Sequence, residues 1–327
     1  MDTVRIGLVG CGNYAVSHME AFATVAGVEI AAAFDIDGAR AEAVAGQFRI
    51  PRVCASLEEI CGMDGLDAID VVATETAHYA PVMGAIAAGK HVFVEKPLAT
   101  DVGECARMIA AARQADRILM VGHLLRFETK YTLLKQELAS GRLGTIVSMH
   151  ARRNRPKTLL PVYGRTHPAL ENSIHDVDLM LWYTGQAVKR VRGYGRKVTG
   201  GPNDDTFWGV LEFADQAIGV VETIWLLPDA AGVRLDDGFE LIGTRGAARL
   251  DLFPGPLSFW REDGYDVPDV SYTSILRDQL VYFGDCVRAG RPPEIITAVE
   301  AMQAVRVALG LVESARIGRD VEIGDWD

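Results

Sequence analysis

Residues 4–15 read VRIGLVGCGNYA, an apolar run that leads directly into a Gly-x-Gly-x-x-Ala motif. A strand, a glycine turn and a helix in this order form a site for the pyrophosphate of a dinucleotide, because the helix N-terminus attracts negative charge. Gly10 permits the tight turn, Gly12 lets backbone amides approach the phosphates, and the small Ala15 allows close helix packing. We therefore expect this loop to bind a dinucleotide through Gly10, Cys11, Gly12, Asn13 and Tyr14.

An acidic residue, Asp35, ends the second apolar run, Val28–Phe34. Its position, about 20 residues beyond the glycines, is that of the carboxylate that accepts hydrogen bonds from the adenosine ribose. A carboxylate there repels a 2′-phosphate, so the sequence predicts NAD as the cofactor, although Arg40 lies close enough to weaken the preference over NADP. The alternative interpretation of Asp35 is an ordinary turn residue at a strand end.

Short apolar runs alternate with helical patterns through the first third of the chain, which is typical of parallel strands joined by crossover helices. The pattern predicts a Rossmann domain over residues 1–122. The predicted strands are Val4–Val9, Val28–Phe34, Ala68–Ala73, His91–Glu95 and Ile118–Val121.

From residue 123 the regular alternation stops, and apolar runs are separated by turn signals instead of helices. The runs Phe207–Phe213, Ile218–Trp225 and Phe239–Leu252 predict an α/β domain with an open, mainly antiparallel sheet. Within the third run, Gly243-Thr244-Arg245-Gly246 fits a hairpin turn. We expect residues 123–327 to bind substrate and to oligomerise. A final helical pattern over 297–317 is expected, and the last strand or helix of this domain could pack back on the first domain.

Composition and charge exclude several classes of protein. The chain has 327 residues, long enough for two domains, and a net charge of -11, which disfavours binding to nucleic acid or to an anionic membrane. The first ten residues contain an acid and a short apolar run, so neither a signal peptide nor a membrane span is expected. Five cysteines are scattered without metal-ligand spacing, which predicts no metal site, no disulfide framework and a cytoplasmic location.

A longer motif resembles a known family. Ala73-Thr74 with His78, and the stretch AGKHVFVEKPLA over residues 88–99, are similar to the pattern of the Gfo/Idh/MocA oxidoreductases, which include glucose-fructose oxidoreductase and inositol 2-dehydrogenase. Further matches at 126–127, 174–178 and 243–246 extend the resemblance over essentially the whole chain. The resemblance implies hydride transfer between NAD and a secondary alcohol or ketone of a sugar, polyol or sugar acid, in a homodimer or homotetramer.

The resemblance also implies roles for the residues of this motif. Lys96 is expected to touch both cofactor and substrate, Glu95 and the following proline to shape the loop beneath the nicotinamide, and Thr74 and His78 to contact the cofactor. A cation beside the reacting carbon–oxygen bond stabilises the alkoxide that precedes hydride loss. Without its flanking motif, Lys96 would be interpreted as a surface lysine at a strand end.

Glu171, His175 and Asp178 are separated by four and then three residues, so on a helix they would share one face. A histidine is suited to accepting a hydroxyl proton near neutral pH, and an adjacent carboxylate orients its ring. His175 matches the catalytic histidine of the family, but Glu171 stands where many relatives carry aspartate. Four alternatives remain open: Glu171 binds substrate or orients Lys96, Asp178 has taken the acid role, the chain belongs to a subgroup with a different substrate or chemistry, or the acids only cap and solvate a helix.

A basic run over residues 152–157, RRNRPK, stands out in an acidic chain. If these side chains face a cleft, they could hold an anionic group of the substrate, and a solvated or subunit-interface strand explains them equally well. The expected substrate-binding residues are His123, Arg126, Arg153 and Tyr163, while Trp182 is expected to pack in the core.

Two functions from other classes remain as alternatives at this stage. The first is a redox-assisted glycosidase or lyase that retains NAD, which the altered Glu171 permits. The second is a non-catalytic NAD-dependent sensor, which would need no acid/base residues such as Lys96 and His175.

Overall fold

A computed structural model describes residues 3–228, 236–251, 256–270 and 273–324. The chain divides into two compact units. The first comprises Met1–Phe127 and Thr273–Met302, and the second comprises Glu128–Tyr272 and Gln303–Asp327. The sequence predicted a single change of domain at residues 122–123, whereas the first unit runs five residues further and takes in a second, later segment.

The first unit is built on a parallel sheet of five strands in the order β2-β1-β3-β4-β5, covered by helices. Its elements up to Phe127 include two short 3-10 helices, Glu75–Ala77 and Leu124–Phe127. The strands and helices are β1 (Val4–Val9), α1 (Asn13–Phe22), β2 (Val28–Phe34), α2 (Gly38–Phe48), α3 (Leu57–Cys61), β3 (Ala68–Val71), α4 (Tyr79–Ala87), β4 (His91–Glu95), α5 (Val102–Ala115) and β5 (Leu119–Gly122).

The predicted strands of this unit are confirmed within two residues at their ends. The strands are almost continuously apolar because a parallel sheet buries both of its faces, as Ile6, Leu8 and Ile69 illustrate. The strand order reverses between β1 and β3, and in open parallel sheets ligands bind beyond the carboxyl ends of the strands at such a switch point. The glycine loop leaves β1 at that point.

The second unit is built on a sheet of nine strands in the order β13-β12-β11-β10-β6-β9-β8-β7-β14. The pairing of β6 with β9 is parallel and the others are antiparallel, which confirms the predicted mainly antiparallel sheet. Gly243–Gly246 forms the predicted hairpin turn, and Leu252 of the third predicted run lies outside the described residues. The elements before the last two helices are α6 (Thr129–Ala139), β6 (Ile146–Asn154), a 3-10 helix (Lys157–Leu159), α7 (Leu160–Tyr163), α8 (Pro168–Glu171), α9 (Ile174–Thr184), β7 (Val188–Arg196), β8 (Thr206–Phe213), β9 (Ile218–Ile224), β10 (Asp236–Gly243), β11 (Gly246–Asp251), β12 (Leu257–Arg261) and β13 (Gly264–Asp266).

Two further helices and a strand follow. Helix α10 (Ile275–Ala289) belongs to the first unit, where Phe283 packs edge-on against Phe93 of β4. Helix α11 (Ala298–Ile317) begins in the first unit and continues in the second, and β14 (Val321–Glu322) pairs with β7. The predicted final helix therefore begins one residue later than the pattern indicated. None of the helices among the described residues is long and apolar enough to cross a bilayer.

A buried ion cluster fastens α9 to the sheet of the second unit. The guanidinium of Arg153, on β6, donates to Asp176 on α9 at 3.0 and 2.7 Å and to Asp237 on β10 at 3.1 Å. Arg155 binds the same Asp237. Arg153 is 3% exposed and Asp176 is 1% exposed, so this contact holds the first turn of α9 in a fixed place on the sheet.

Replacing Arg153 with methionine leaves the buried carboxylate of Asp176 without its cation, while Asp237 keeps Arg155. We expect Arg153→Met to lower the free energy of unfolding by about 3–5 kcal/mol. The matched control is Arg190→Met, because Arg190 pairs with Glu212 on the exposed surface of the same sheet, and only a small change is expected there. Urea unfolding of both variants checks this, and equal losses would contradict a special role of the buried cluster.

Candidate functional site

The glycine loop has the geometry of a pyrophosphate cradle. Gly10 has a φ of +94°, and a Cβ atom on it would lie 2.6 Å from the backbone nitrogen of Ala73, so only glycine fits. A Cβ atom on Gly12, in contrast, would meet nothing within 4 Å. Gly12 is the N-cap of α1, which has no side-chain cap and no acid in its first turn. The N-terminus of α1 therefore borders open space at Gly12, and these residues fit the pyrophosphate of a dinucleotide.

Asp35 both shapes this loop and remains able to bind a ribose. Its carboxylate accepts the backbone N–H of Cys11 at 2.7 Å and that of Asp37 at 2.8 Å. A carboxylate offers about four acceptor positions, so about two remain for ribose hydroxyls. The sequence predicted that Asp35 binds the ribose. It did not predict the contact with Cys11, which holds the end of β2 against the glycine loop.

A cavity at the end of β2 is acidic. Its described lining includes Asp35, Glu42 and Glu58 and contains neither lysine nor arginine. Arg40, which sequence reasoning raised as a possible phosphate ligand, is paired with Asp37 at 3.2 Å on the exposed side of α2. The three carboxylates disfavour a 2′-phosphate and support NAD over NADP.

The loop after β4 carries Lys96, joined to Pro97 by a cis peptide bond. The backbone N–H of Lys96 donates to the Glu95 carboxylate at 3.1 Å. His78 is 1% exposed, and its ring nitrogens lie 2.8 Å from the carbonyl oxygen of Pro97 and 3.1 Å from that of Ala73. Burial lowers the pKa of His78. His78 thus lies between two loop backbones, which makes it a support of the Lys96 loop.

Thr74, the other residue predicted to contact the cofactor beyond β3, is exposed at the start of the 3-10 helix Glu75–Ala77. It follows the carboxyl end of β3, the strand beside β1. Tyr14 is 38% exposed and packs edge-on against His18 with ring centroids 5.1 Å apart. Thr74 and Tyr14 are therefore accessible to a ligand at this edge of the sheet.

A charged group that sequence reasoning missed lies beneath this loop. His18 on α1 is completely buried, with Nδ1 2.9 Å from Asp70 on β3 and Nε2 3.2 Å from Glu95. Burial alone would lower the pKa of His18, but Asp70 and Glu95 raise it to about 10. The ring is therefore an imidazolium that donates to both carboxylates. The sequence did contain one signal of this group, Asp70 within the apolar strand β3. A charged residue in a strand buried on both faces needs a charged or hydrogen-bonding partner.

The acid/base residues of the second unit do not share one helix. Glu171 ends α8, and α9 begins only at Ile174, so the prediction of one continuous helical face was wrong for Glu171. The break is fixed by side chains that bind the sheet. Asn172 donates to the backbone oxygen of Arg153 at 3.0 Å, and the Ser173 hydroxyl lies 2.8 Å from that of Thr223.

His175 and Asp178 do lie three residues apart on α9. His175 is partly exposed, whereas Asp178 and Glu171 are buried, at 1% and 8% exposure. The neighbour of His175, Asp176, is the residue that Arg153 binds. The imidazole that the sequence singled out as a base is thus placed by a helix turn anchored directly beside it.

Of the four predicted substrate-binding residues, His123 and Arg126 belong to the first unit and Arg153 and Tyr163 to the second. Arg126 is 2% exposed and donates to the Ile295 carbonyl at 2.9 Å and to Glu300 at 3.0 Å, all within the first unit. Since Arg126 and Arg153 are both buried and bound to carboxylates, their geometry favours supporting roles. His123 is also buried, at 1% exposure, and Tyr163 is partly exposed and stacks on Trp225 at 5.9 Å.

Trp182 is fixed by packing within the second unit. Its ring stacks on Tyr183 with centroids 5.4 Å apart, and Lys135 Nζ lies 5.4 Å from the ring centre. Lys135 also donates to the Trp182 carbonyl at 2.5 Å. These contacts favour the packing role expected of Trp182. Among the described residues, no group of three or more His, Cys, Asp or Glu side chains is arranged to hold a metal ion.

A parallel sheet with an open glycine loop at its switch point, an acid at the end of β2 and a lysine loop after β4 define a dinucleotide-dependent oxidoreductase. Residues 4–123 match the family model described as "Oxidoreductase family, NAD-binding Rossmann fold", and residues 131–249 match the "GFO/IDH/MocA C-terminal domain". The chain belongs to the GFO/IDH/MocA oxidoreductase family, which confirms the family, fold and NAD cofactor predicted from the sequence.

Curated relatives and solved structures agree with this assignment. The chain is 36% identical over 254 residues to an inositol 2-dehydrogenase of Acidothermus cellulolyticus, covering 76% of this chain and 73% of the relative. It is 30% identical to an inositol 2-dehydrogenase of Salmonella typhimurium over 97% of this chain and 95% of the relative. The fold is shared with scyllo-inositol dehydrogenase of Lactobacillus casei, solved with NAD(H) and scyllo-inositol, at a TM-score of 0.86 and 21% identity over 99% of this chain and 100% of that one.

The protonated state of His18 makes stability depend on pH in a defined direction. Because the folded-state pKa, about 10, lies above the ordinary value of 6.5, the contribution of His18 is complete below pH 6.5 and is lost as the pH rises toward 10. We expect the stability advantage of the wild type over His18→Gln to shrink by up to about 1.4 kcal/mol per pH unit in that window. Urea unfolding of both proteins at several pH values measures this difference, and a constant difference would contradict a charged His18.

Proposed function

We propose that this protein is an NAD-dependent dehydrogenase that oxidises a secondary alcohol of a cyclic polyol of the inositol type to the ketone. The observation that carries the proposal lies in the first unit. The glycine loop at Gly12 and the loop of Lys96 both follow strands of the same parallel sheet and leave it at the carboxyl edge. A dinucleotide bound at the glycine loop would therefore extend along the edge that carries Lys96. The names of the relatives supply the substrate class.

Each reacting group has a separate task in this proposal. When bound, NAD accepts the hydride and becomes NADH. Lys96 stabilises the negative charge that develops on the substrate oxygen, as a fixed cation does in a site shielded from water. His175 accepts the hydroxyl proton, so that the alcohol loses one proton and one hydride and becomes a ketone. Asp178, three residues along α9, and Glu171, at the end of α8, are proposed to orient this base or the substrate.

The remaining cofactor residues hold NAD at its two ends. The helix N-terminus that follows Gly12 binds the pyrophosphate, and Gly10, Cys11, Asn13 and Tyr14 form the rest of the loop. Asp35 accepts from the ribose hydroxyls. His78 and Glu95 act by holding the Lys96 loop in place, which their burial and backbone contacts support.

The comparisons favour this function over the redox-assisted glycosidase or lyase. The relatives and the solved structure described above carry dehydrogenase names. A dehydrogenase releases one NADH for each ketone formed, whereas a redox-assisted lyase returns NADH to NAD within the cycle. Stoichiometric NADH is therefore the product that separates these two functions.

The test is NADH formation from NAD with myo-inositol and scyllo-inositol, followed by absorbance. We expect Lys96→Met to lower kcat by roughly 10²–10³-fold, because it removes the group that stabilises the developing alkoxide. His175→Gln is expected to lower kcat by about 10²–10⁴-fold through loss of the base. Lys189→Met, an exposed lysine on β7, is the matched control and should leave kcat unchanged. A wild type that forms no NADH with either polyol would overturn the proposed substrate class.

We also propose that the chain forms a homodimer or homotetramer through the open face of its nine-stranded sheet. Tyr194 and Trp208 are paired neighbours on β7 and β8, at 55% and 37% exposure, and Ile242 and Trp260, at 54% and 43%, lie further along the same sheet. Large exposed apolar side chains on one sheet face are typical of a surface that another subunit covers.

Substituting a charge into this face should dissociate the oligomer. We expect Trp208→Glu to shift the molar mass measured by light scattering during gel filtration to that of one chain. The control is Val198→Glu, which alters an equally exposed apolar residue in the β7–β8 connection and should leave the mass unchanged. A wild-type mass of one chain would refute the oligomer directly.

A cytoplasmic location is proposed from the state of the cysteines. Cys11, Cys54, Cys61, Cys105 and Cys286 are all free and buried. Burial raises the pKa of Cys11 and of Cys105 to about 12, so these thiols stay protonated and unreactive at neutral pH. A fold that keeps five thiols and uses no disulfide is suited to a reducing compartment.

A further inference from the structure

A buried charge bridge lies directly under the loop that carries Lys96. The imidazolium of His18 spans the gap between Asp70 on β3 and Glu95 at the end of β4, so the helix that starts at the glycine loop is linked to the end of a strand two places away in the sheet. The second carboxylate oxygen of Glu95 accepts the N–H of Lys96 at 3.1 Å. The contacts form one chain, Asp70 to His18 to Glu95 to the Lys96 backbone.

The surroundings leave Glu95 little other choice of position. A Cβ atom on Gly122, at the end of β5, would lie 2.6 Å from the Glu95 carboxylate, so this glycine makes room for it. The His18 ring is enclosed by Phe22 and Phe93, at centroid distances of 6.4 and 5.8 Å. Because burying an unpaired carboxylate is costly, the buried Glu95 needs a cationic partner, and His18 is that partner.

Asp70 depends on the same bridge. Its Oδ2 receives the His18 proton, and its Oδ1 has no hydrogen-bond partner among the described residues. Asp70 is completely buried, and His18 is the cation that pairs with its carboxylate. With Asp70 at Nδ1 and Glu95 at Nε2, the protonated His18 ring donates through both of its nitrogens. Asp70 thereby orients the ring toward Glu95, as a carboxylate orients a histidine that binds another group.

We propose that His18 is a positioning residue for the dehydrogenase reaction: bridged to Asp70, it holds Glu95 so that Glu95 fixes the backbone, and with it the side-chain direction, of Lys96. The inference rests on the role of Lys96 in the proposed function. It assigns to α1 a second task, because the same helix presents the glycine-loop amides at its N-terminus and supports the Lys96 loop one turn further on.

The first experiment reads the Lys96 amide itself and needs no substrate. Hydrogen–deuterium exchange of the full-length protein is followed in the peptide covering residues 93–97. We expect exchange of this peptide to become about tenfold faster in His18→Gln, the fold-change for weakening a charge-assisted hydrogen bond. His91→Gln is the matched control, because His91 is a partly buried histidine at the opposite end of β4 that accepts the N–H of Ile118. That variant should leave exchange at Lys96 unchanged.

The second experiment tests the path through Glu95 by kinetics. We expect His18→Gln to lower kcat by roughly 10–100-fold, the range for a reacting group displaced by about 1 Å, with KM for NAD within about threefold of the wild type. In a Glu95→Gln background the same substitution should change kcat by less than about threefold, since residues on one path are not additive. Asp70→Asn, which keeps the size of the side chain, serves if His18→Gln does not fold and should move both measurements in the same direction.

The outcomes separate this inference from the proposed function. Unchanged exchange at residues 93–97 in His18→Gln would overturn the positioning role. So would a loss of kcat from His18→Gln that is as large in the Glu95→Gln background as in the wild type. A wild type without polyol activity would refute the proposed substrate class, while the exchange experiment would still decide whether His18 fixes the Lys96 backbone.

Discussion

The parallel direction of all five strands in the first sheet brings every loop that follows a strand to one edge. Loops are the mobile parts of a domain, so a site built from them needs contacts that hold the loops in one conformation. Here those contacts come from buried side chains that bind backbone groups of a neighbouring loop. Asp35 binds the amide of Cys11, and His78 lies between the carbonyl oxygens of Ala73 and Pro97. The sheet provides the common edge, and these contacts make its loops a fixed surface.

Both units place a buried ion pair one residue from a proposed reacting group. In the first unit Glu95, bound by His18, precedes Lys96, and in the second unit Asp176, bound by Arg153, follows His175. Buried ion pairs are weak contributors to net stability because desolvation offsets their attraction. They do hold two elements in one defined arrangement. Their location beside Lys96 and His175 therefore fits a role in placing reactive side chains better than a role in folding stability.

The sequence predicted what depends on local pattern and missed what depends on distant partners. The strands of the first sheet, the glycine loop and the hairpin at Gly243 were found because turn chemistry and apolar periodicity are local. The break between α8 and α9 was missed, since residues 171–178 have helical spacing and the break is set by contacts to Arg153 and Thr223 in the sheet. The partners of His18 and Arg126 were equally out of reach, because they lie 52, 77 and 174 residues away.

The basic run at residues 152–157 shows how strand geometry decides what a charge cluster can do. Successive side chains of a strand point to opposite faces, so Arg152 and Arg153 do not act together. Arg152 pairs with Asp236 and Asp251, while Arg153 and Arg155 share Asp237. The three guanidinium groups are thus neutralised by carboxylates of the sheet itself and by Asp176. Since these arginines already have acidic partners, they give no particular support to a phosphorylated or carboxylated sugar as the substrate.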